Sequence, residues 1–325
     1  MIKVGIVGGA GYTAGELIRL LVNHSQAELD FVYSTSNAGN YIYQVHQDLL
    51  GSIDLKFSDT INKNVDVLFL CLGHGNSTAF LENNSFSDST KIIDLSNDFR
   101  LNADDVFQGR KFVYGLPETQ KSEIKKATNI ANPGCFATAI QMALLPLANA
   151  LKINDTVHIN ATTGSTGAGV SPMATTHFSW RDNNFSVYKA FTHQHLGEIG
   201  ESIAGLQKDF NQELLFIPNR GNFSRGIFAS IYLKYEDSIE EAVKLFENFY
   251  KDAAFTHVSK TPIHLKQVVN TNNCFLHIEK HGNQLLITSV IDNLLKGASG
   301  QAVQNMNLMF GFNETEGLKL KANSF

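Results

Sequence analysis

One cysteine occupies a position in the sequence that favours thiol chemistry. Cys135 follows Pro133 and Gly134, and an apolar stretch rich in helix formers follows it. The proline and glycine fix a turn, and the positive end of a helix dipole favours the thiolate over the thiol. A lone cysteine is more often a buried structural residue, and Cys71 and Cys274 fit that description because they lie in or beside apolar strands. The pattern predicts a nucleophilic role for Cys135.

A thiol nucleophile also requires a base or a proton relay. His193 and His195 lie two residues apart, so both rings project to one side if this segment is extended. Glu198 follows as a carboxylate that orients one of them. Two histidines at this spacing also suit zinc, but no further Cys or His cluster completes a ligand set. We therefore expect no metal, and these residues alone leave open which histidine transfers the proton.

A glycine-rich segment near the N-terminus has the features of a phosphate-binding turn. It lies between an apolar strand and an amphipathic helix, where a backbone without Cβ atoms approaches a pyrophosphate and helix N–H groups hold it. Its glycine spacing differs from the usual dinucleotide fingerprint, so a plain tight turn is the alternative. The context favours a dinucleotide. The expected contacts are Gly8, Gly11, Tyr12, Thr13, Ala14 and Gly15.

The end of the second predicted strand indicates which dinucleotide this is. NAD sites usually place an acidic residue there to hold the ribose 2′-hydroxyl, but here the segment is rich in Ser and Thr, and Asp30 comes too early. The hydroxyls of Ser34 and Ser36, with free backbone N–H groups, would accept a 2′-phosphate instead. This composition favours NADP(H), although no arginine accompanies it and an ordinary Ser/Thr-rich turn is the alternative.

A dinucleotide site and an activated thiol together indicate a reaction class. The thiol accepts an acyl group as a thioester, which the nicotinamide reduces to an aldehyde, and the reverse direction oxidises an aldehyde. Phosphate as the other acyl partner would require cationic residues beside the thiol.

The elements that position these residues form two regions. A strand, a helix and a second strand occupy the first 36 residues, and apolar runs follow at 65–75 and 91–99, which suits a parallel sheet covered on both faces. After about residue 155 strands dominate, 264–270 among them, with one clear helix at 238–255. We predict an α/β fold with a Rossmann-type doubly wound parallel sheet and a second α+β domain of largely antiparallel sheet.

Composition limits the classes of partner. The 325-residue chain is 43% hydrophobic and 18% charged with a net charge of −5, which fits a globular protein and argues against nucleic acid or an anionic membrane as partner. No apolar run approaches the ~18 residues of a membrane span, and the N-terminus lacks a signal-peptide layout. Three cysteines indicate reduced thiols. We therefore predict a cytoplasmic protein that acts on a small molecule.

Several sequence blocks, in order along nearly the whole chain, match one known family. They include GGAGYTAGEL at 8–17, DLSNDFRL at 94–101, ANPGC at 131–135, HQHLGEI at 193–199 and IDNLLKGASGQAVQNMNLM at 291–309. Through them the chain resembles the N-acetyl-gamma-glutamyl-phosphate reductases, a family of arginine-biosynthesis enzymes related to aspartate-semialdehyde dehydrogenases.

The resemblance implies a fold division and a reaction. Residues 1–145 plus 297–325 would form the NADP-binding Rossmann domain, and 146–296 a catalytic domain through which a homo-oligomer, a dimer or a tetramer, assembles. The reaction would be the NADPH-dependent reduction of N-acetyl-L-glutamyl 5-phosphate to N-acetyl-L-glutamate 5-semialdehyde, with Cys135 as nucleophile and His195 as acid–base group.

Further candidates for contacts with substrate and cofactor come from single residues and from the resemblance. Arg100 follows a predicted strand end, where α/β sheets bind ligands, and would hold the transferable phosphate, and Arg225 would hold the substrate α-carboxylate; surface positions are the alternative for both. The remaining implied contacts are Gly167 and Asn293 for the cofactor, and Asn132 and His193 for the substrate.

Other functions remain open at this level. The family usually has an arginine where this chain has Gln194 and a proline where it has Gly197, which leaves the N-acyl group undecided. An enzyme similar to aspartate-semialdehyde dehydrogenase would use the same steps on a shorter acyl phosphate. A nucleotide-sensing protein would not need Cys135, and a thiol hydrolase would not need the glycine turn.

Overall fold

The computed structural model describes residues 1–324, which form two compact units. Unit 1 comprises Met1–Pro133 and Ala298–Lys319, and unit 2 comprises Gly134–Gly297 with the tail from Leu320. The elements of unit 1 are β1 (Ile2–Val7), α1 (Tyr12–Leu21), β2 (Ala27–Tyr33), β3 (Val67–Leu70), α2 (Asn76–Asn83), β4 (Lys91–Asp94), β5 (Val106–Phe107), β6 (Arg110–Tyr114), α3 (Pro117–Lys126), β7 (Asn129–Ala131) and, after unit 2, α8 (Gly300–Met309).

Unit 1 is built on one seven-stranded sheet in the order β2-β1-β3-β4-β7-β6-β5. All neighbours pair in parallel except β5 and β6. Every residue of β3 is buried, as expected for a parallel strand covered on both faces. The chain crosses from β2 back to β3 on the other side of β1, so the carboxyl ends of β1 and β3 flank a topological switch point, where α/β sheets bind ligands.

Unit 2 contains the second sheet and the helix that begins with the predicted nucleophile. Its sheet has the order β12-β13-β14-β11-β8-β10-β9, with antiparallel pairing except between β12 and β13 and between β8 and β10. Both predicted sheet types are therefore confirmed. Its elements are α4 (Cys135–Asn149), β8 (Val157–Thr163), α5 (Phe178–Arg181), β9 (Ser186–Val187), α6 (His195–Leu206), β10 (Leu214–Arg220), β11 (Ile227–Lys234), α7 (Ile239–Phe249), β12 (Thr256–Ser259), β13 (Cys274–His281) and β14 (Gln284–Ile291).

Local structure differs from the sequence-based prediction at three places. The segment 264–270, predicted as a strand, contains a 3-10 turn at Leu265–Gln267, because its Val268 joins a small apolar cluster under a loop and burial alone does not make a strand. The extended segment predicted around His195 is instead the start of α6. Unit 2 also contains α5 and α6, which the sequence did not predict, and it includes α4, the helix predicted after Cys135.

The division between the units lies at Pro133, whereas the sequence placed it after residue 145. The difference arises because α4 packs on α6, β11 and β14, all of unit 2. Within residues 1–324, no helix combines the length and the apolarity that a membrane crossing requires.

Helix α4 is a buried platform that holds Cys135 at its first position. Residues 136–148 are all buried, as expected for a helix that is apolar on every side. Pro146 lies inside it and has no N–H, so the carbonyl of Met142 lacks its usual partner one turn later. The hydroxyl of Tyr250, 4% exposed, donates to that carbonyl at 2.7 Å. A side chain at the end of α7 thus satisfies the gap that the proline leaves.

Replacing Tyr250 with Phe should lower the free energy of unfolding by about 1–3 kcal/mol, because the buried Met142 carbonyl loses its donor. Chemical denaturation measures this change. The matched background is Pro146→Ala, which restores a backbone N–H to the same carbonyl, so the Tyr250→Phe change should cost less there. An equal cost in both backgrounds would contradict this account of the helix.

Candidate active site

The thiol lies at the N-terminus of α4, as the sequence predicted. Gly134 is the N-cap, with extended backbone (φ −70°, ψ 151°) and no capping side chain of its own. The carboxylate of Glu198 binds the N-cap residue itself, since its Oε2 accepts from the Gly134 N–H at 2.9 Å. Its Oε1 lies 3.8 Å from Nε2 of His195, and Glu198 is only 3% exposed. One buried carboxylate therefore joins the turn before Cys135 to a histidine, at the helix end where negative charge is favourable.

The two histidines lie together, although their segment is not extended. Their ring centroids are 4.6 Å apart with planes at 72°. The backbone N–H of His195 donates to Nδ1 of His193 at 3.2 Å, so a turn into α6 produces the adjacency. His193 packs edge-on against Phe136 and Phe216, both at 5.5 Å. His195 is therefore the histidine that approaches Glu198, whereas His193 packs among aromatic rings.

Two glycines allow this close approach around Cys135. A Cβ added at Gly134 would lie 2.3 Å from Nε2 of His195. A Cβ at Gly297 would lie 2.8 Å from the Cβ of Cys135. Gly297 belongs to a π-helical turn, Leu295–Ser299, a geometry often found at functional sites. Larger residues at either position would displace the groups beside the thiol.

Arg225 forms a bidentate ion pair inside unit 2. Its Nε and Nη2 donate to the two carboxylate oxygens of Asp292, each at 3.1 Å. Asp292 is fully buried and also accepts from the backbone N–H of Asn270 at 2.7 Å. The sequence analysis overlooked Asp292, although an acid directly after the apolar strand β14 was a usable signal. The predicted role of Arg225 in carboxylate binding stays a prediction.

The predicted cofactor contacts Gly167 and Asn293 lie near each other in unit 2. The side-chain oxygen of Asn293 accepts from the Gly226 N–H at 2.7 Å, and its amide donates to Thr166 Oγ1 at 3.0 Å. Gly167 follows Thr166 in a 3-10 turn, and a Cβ there would lie 3.9 Å from the Asn293 amide nitrogen. Asn293 thereby braces two turns against each other at the end of β14.

The glycine turn of unit 1 combines a left-handed glycine with a helix start that has no side-chain cap. Gly8 has φ +81°, and a Cβ there would lie 2.5 Å from the carbonyl oxygen of Cys71. Gly11 is the N-cap of α1 and provides no side-chain cap, so the N–H groups of the first turn face outward from the helix end. A Cβ at Gly15 would meet His46, whose Nε2 bonds to the carbonyl of Gly9 at 2.8 Å. The remaining predicted contacts, Tyr12, Thr13 and Ala14, form the first turn of α1.

Hydroxyl groups cluster after β2, as predicted. The Oγ atoms of Ser34 and Ser36 lie 3.4 Å apart. The amide of Asn37, which the prediction did not include, donates to both, at 3.4 and 3.0 Å. Asp30 lies earlier in β2 and accepts from Asn62 at 2.8 Å. The strand end therefore presents hydroxyl and amide groups without a carboxylate.

Arg100 and Asn132 support the chain that leads to the cysteine. The Arg100 guanidinium donates to the carbonyls of Asn132 and Leu95, each at 2.9 Å, and Arg100 is 7% exposed. The Asn132 amide donates to the Ala298 carbonyl at 3.1 Å, and its side-chain oxygen accepts from Asn305 at 3.1 Å. These bonds hold residue 132 in place, and the phosphate-binding role of Arg100 stays a prediction.

The other two cysteines differ chemically from a nucleophile. Burial, and then the nearby charge of Asp94, raise the pKa of the Cys71 thiol to about 12, against a hydrogen bond from Thr13 that lowers it. Cys71 therefore stays protonated near neutral pH. Cys274 is fully buried, and its sulfur lies 3.6 Å from the Ser289 hydroxyl.

Family models match most of the chain. Residues 3–127 match the semialdehyde dehydrogenase NAD binding domain, and residues 135–293 match the semialdehyde dehydrogenase dimerisation domain. Two curated relatives named N-acetyl-gamma-glutamyl-phosphate reductase are similar over 100% of both chains: one from Flavobacterium johnsoniae at 63% identity and one from Bacteroides fragilis at 56%.

Solved structures show a similar fold at low sequence identity. Aspartate semialdehyde dehydrogenase II from Vibrio cholerae aligns with a TM-score of 0.72 and 16% identity, over 96% of this chain and 99% of that one. The Candida albicans aspartate semialdehyde dehydrogenase with NADP aligns with a TM-score of 0.66 and 15% identity, over 95% and 98%. At this identity the likeness concerns the fold alone.

Replacing Gly134 with Ala should disturb the thiol site, because the new methyl group would overlap the His195 ring. We expect a loss of about 1–3 kcal/mol in unfolding free energy from overpacking and a slower alkylation of Cys135 by iodoacetamide. The matched control is Gly200→Ala in α6, where a Cβ would meet nothing within 4 Å. It should gain about 0.5–1 kcal/mol and keep the parental alkylation rate. Identical alkylation rates in the two variants would refute the close contact.

Proposed function

The chain belongs to the semialdehyde dehydrogenase family, and on that premise we propose that it reduces N-acetyl-L-glutamyl 5-phosphate with NADPH. The products are N-acetyl-L-glutamate 5-semialdehyde and phosphate, and the step belongs to arginine biosynthesis. The observation that carries this proposal is the cluster at the start of α4, where Glu198 joins the turn before Cys135 to His195. Relatives of that name over the full length support the choice of substrate.

The thiol performs the first half of the reaction. The Cys135 thiolate attacks the acyl carbon, a carbon–sulfur bond forms, and the carbon–oxygen bond to the phosphate breaks, so phosphate leaves with the electron pair. Because Cys135 occupies the first position of α4, the helix dipole stabilises the thiolate before attack. The product of this half is a thioester on Cys135.

A histidine performs the proton transfer of the second half. When bound, the dinucleotide would supply the hydride that reduces the thioester. His195 donates a proton to the oxygen as charge develops there and gives a thiohemiacetal. The hydroxyl proton then returns to His195, the carbon–sulfur bond breaks, and the aldehyde leaves Cys135 as the thiolate. Glu198 orients the His195 ring at 3.8 Å. His193 accepts the His195 backbone N–H and so sets the start of α6, and we also assign it to the substrate pocket.

The cofactor is NADP(H), and unit 1 has the groups to hold it. The turn from Gly8 to Gly15 would hold the pyrophosphate, because Gly8 adopts a conformation that favours glycine and α1 has no side-chain cap. Ser34 and Ser36 would hold the 2′-phosphate, since their hydroxyls cluster where no carboxylate would repel it. In unit 2, we assign Gly167 and Asn293 to cofactor binding as well.

The remaining assignments concern substrate, assembly and compartment. We assign Arg100 and Asn132 to the phosphate side of the substrate.

The match of residues 135–293 to a dimerisation domain points to oligomerisation, and we propose a homo-oligomer, a dimer or a tetramer, assembled through unit 2. Three free cysteines fit a reducing compartment, which supports our assignment to the cytoplasm.

Replacing Cys135 with Ser should abolish turnover, by about 10⁴-fold or more in kcat, because a hydroxyl is not ionised at neutral pH. The assay follows NADPH formation from the semialdehyde, phosphate and NADP⁺. Binding of NADPH should persist in this variant. Cys71→Ser is the control and should keep most activity. Parental turnover by the serine variant would exclude the thioester route. If the parent protein preferred aspartate semialdehyde as substrate, that result would favour an activity like that of aspartate-semialdehyde dehydrogenase.

The parent protein should use NADPH with a higher kcat/KM than NADH. Replacing Ser36 with Asp should lower kcat/KM for NADPH by about 10- to 100-fold, because a carboxylate there repels the 2′-phosphate. NADH should be affected much less. Ser85→Asp adds the same charge at an exposed position of unit 1 and should change neither value. Equal use of both cofactors by the parent would overturn the assignment of Ser34 and Ser36.

A further inference from the structure

Arg220 is a cation without a carboxylate partner in unit 2. It ends β10, and its guanidinium carbon lies 4.7 Å from the centre of the Tyr188 ring. Within residues 1–324 no acidic side chain lies within ion-pair distance of it, and its Nε is buried without a hydrogen-bond partner. A partly buried guanidinium whose charge is left unmatched favours binding of an anion.

A second guanidinium adds to the positive charge at this place. Arg181 is 6% exposed and donates to the carbonyls of Arg220 and Asn184, at 2.7 and 3.3 Å, and to the Ser186 hydroxyl at 3.0 Å. Burial, and then the charge of Arg220, lower the pKa of Arg181. Arg181 therefore braces the loop with its donors, whereas Arg220 contacts Tyr188 and has no acidic partner among residues 1–324.

Tyr188 connects this cation to the thiol cluster. Its ring packs edge-on against His193, with centroids 5.8 Å apart, and His193 in turn contacts His195. Burial first, and the charge of Cys135 second, raise the pKa of the Tyr188 phenol, whereas Arg220 opposes that rise. The phenol thus lies within electrostatic range of both the nucleophile and the guanidinium.

We propose that Arg220, stacked on Tyr188, binds the α-carboxylate of the substrate. The assignment rests on the proposed function. It differs from the carboxylate contact expected at Arg225, whose guanidinium already pairs bidentately with Asp292. A guanidinium binds a carboxylate through two parallel hydrogen bonds, and stacking on an aromatic ring orients its plane for them.

The substrate has two anionic groups, a phosphate and an α-carboxylate. The ring contacts between Arg220 and His195 favour the α-carboxylate as the group that Arg220 binds. The phosphate is attached to the carbon that Cys135 attacks, whereas the α-carboxylate lies at the far end of the glutamyl chain. Arg220 reaches the proton donor His195 only through Tyr188 and His193. Because two rings separate Arg220 from His195, we assign Arg220 to the α-carboxylate, the anionic group farther from the reacting carbon.

The test compares Arg220→Met with the parent in the semialdehyde-oxidising direction. We expect KM for N-acetylglutamate semialdehyde to rise about 10- to 100-fold, since one charge-assisted contact is lost, with kcat changed much less and KM for phosphate unchanged. The analogue with an α-carboxamide should be a poor substrate for the parent and should lose nothing further in the variant. Arg220→Lys should restore part of the loss, and Lys208→Met, which removes an exposed charge elsewhere in unit 2, should match the parent.

Each alternative outcome is distinguishable. A rise in KM for phosphate alone would assign Arg220 to the phosphate and overturn the proposal, as would unchanged KM values for both. If the parent turned over neither substrate, the proposed function would fail. Calorimetry with N-acetyl-L-glutamate and its α-amide then decides the inference independently, because only the carboxylate form should lose affinity on Arg220→Met. Equal binding of both forms to the parent would reject it.

Discussion

The candidate site depends on one buried carboxylate at the start of one helix. Glu198 accepts the N–H of Gly134 and approaches His195, so the turn before Cys135 and the first turn of α6 share a single anchor. The N-terminus of a helix leaves N–H groups without partners inside the helix. One of these groups, the N–H of Gly134, is satisfied by the carboxylate of a residue sixty-four positions later. The same bond places acid–base chemistry beside the nucleophile.

That anchor works only because α4 is held rigidly. The helix is buried along nearly its whole length, which leaves little freedom for Cys135 to move. Burial makes each unsatisfied backbone group costly, and Pro146 creates one at the Met142 carbonyl. Tyr250 removes that cost. The stability of unit 2 and the position of its nucleophile therefore rest on the same polar contacts inside an apolar core.

Two arginines of unit 2 differ in whether an acidic side chain pairs with them. Arg225 forms a bidentate pair with a buried carboxylate and braces the end of β14, whereas Arg220 rests on an aromatic ring without an acidic partner among residues 1–324. In the sequence each of the two arginines directly precedes a glycine, so the local pattern does not separate them. A paired arginine supports structure and an unmatched one attracts an anion, and this difference arises from the acids that the fold brings near.

Local sequence determined much of this protein. Runs of apolar residues predicted β1 to β4 of unit 1 but not β5, β6 or β7, and the proline and glycine before Cys135 predicted the helix start, because these signals act over a few neighbouring residues. Tertiary structure decided the rest. The segment 264–270 is apolar without being a strand, and His195 begins a helix that brings its ring beside Glu198 and Gly134. The contact of Glu198 with Gly134 and the pairing of Arg225 with Asp292 join residues more than sixty positions apart, so no local pattern contains them, and only the packed chain brings them within hydrogen-bond distance.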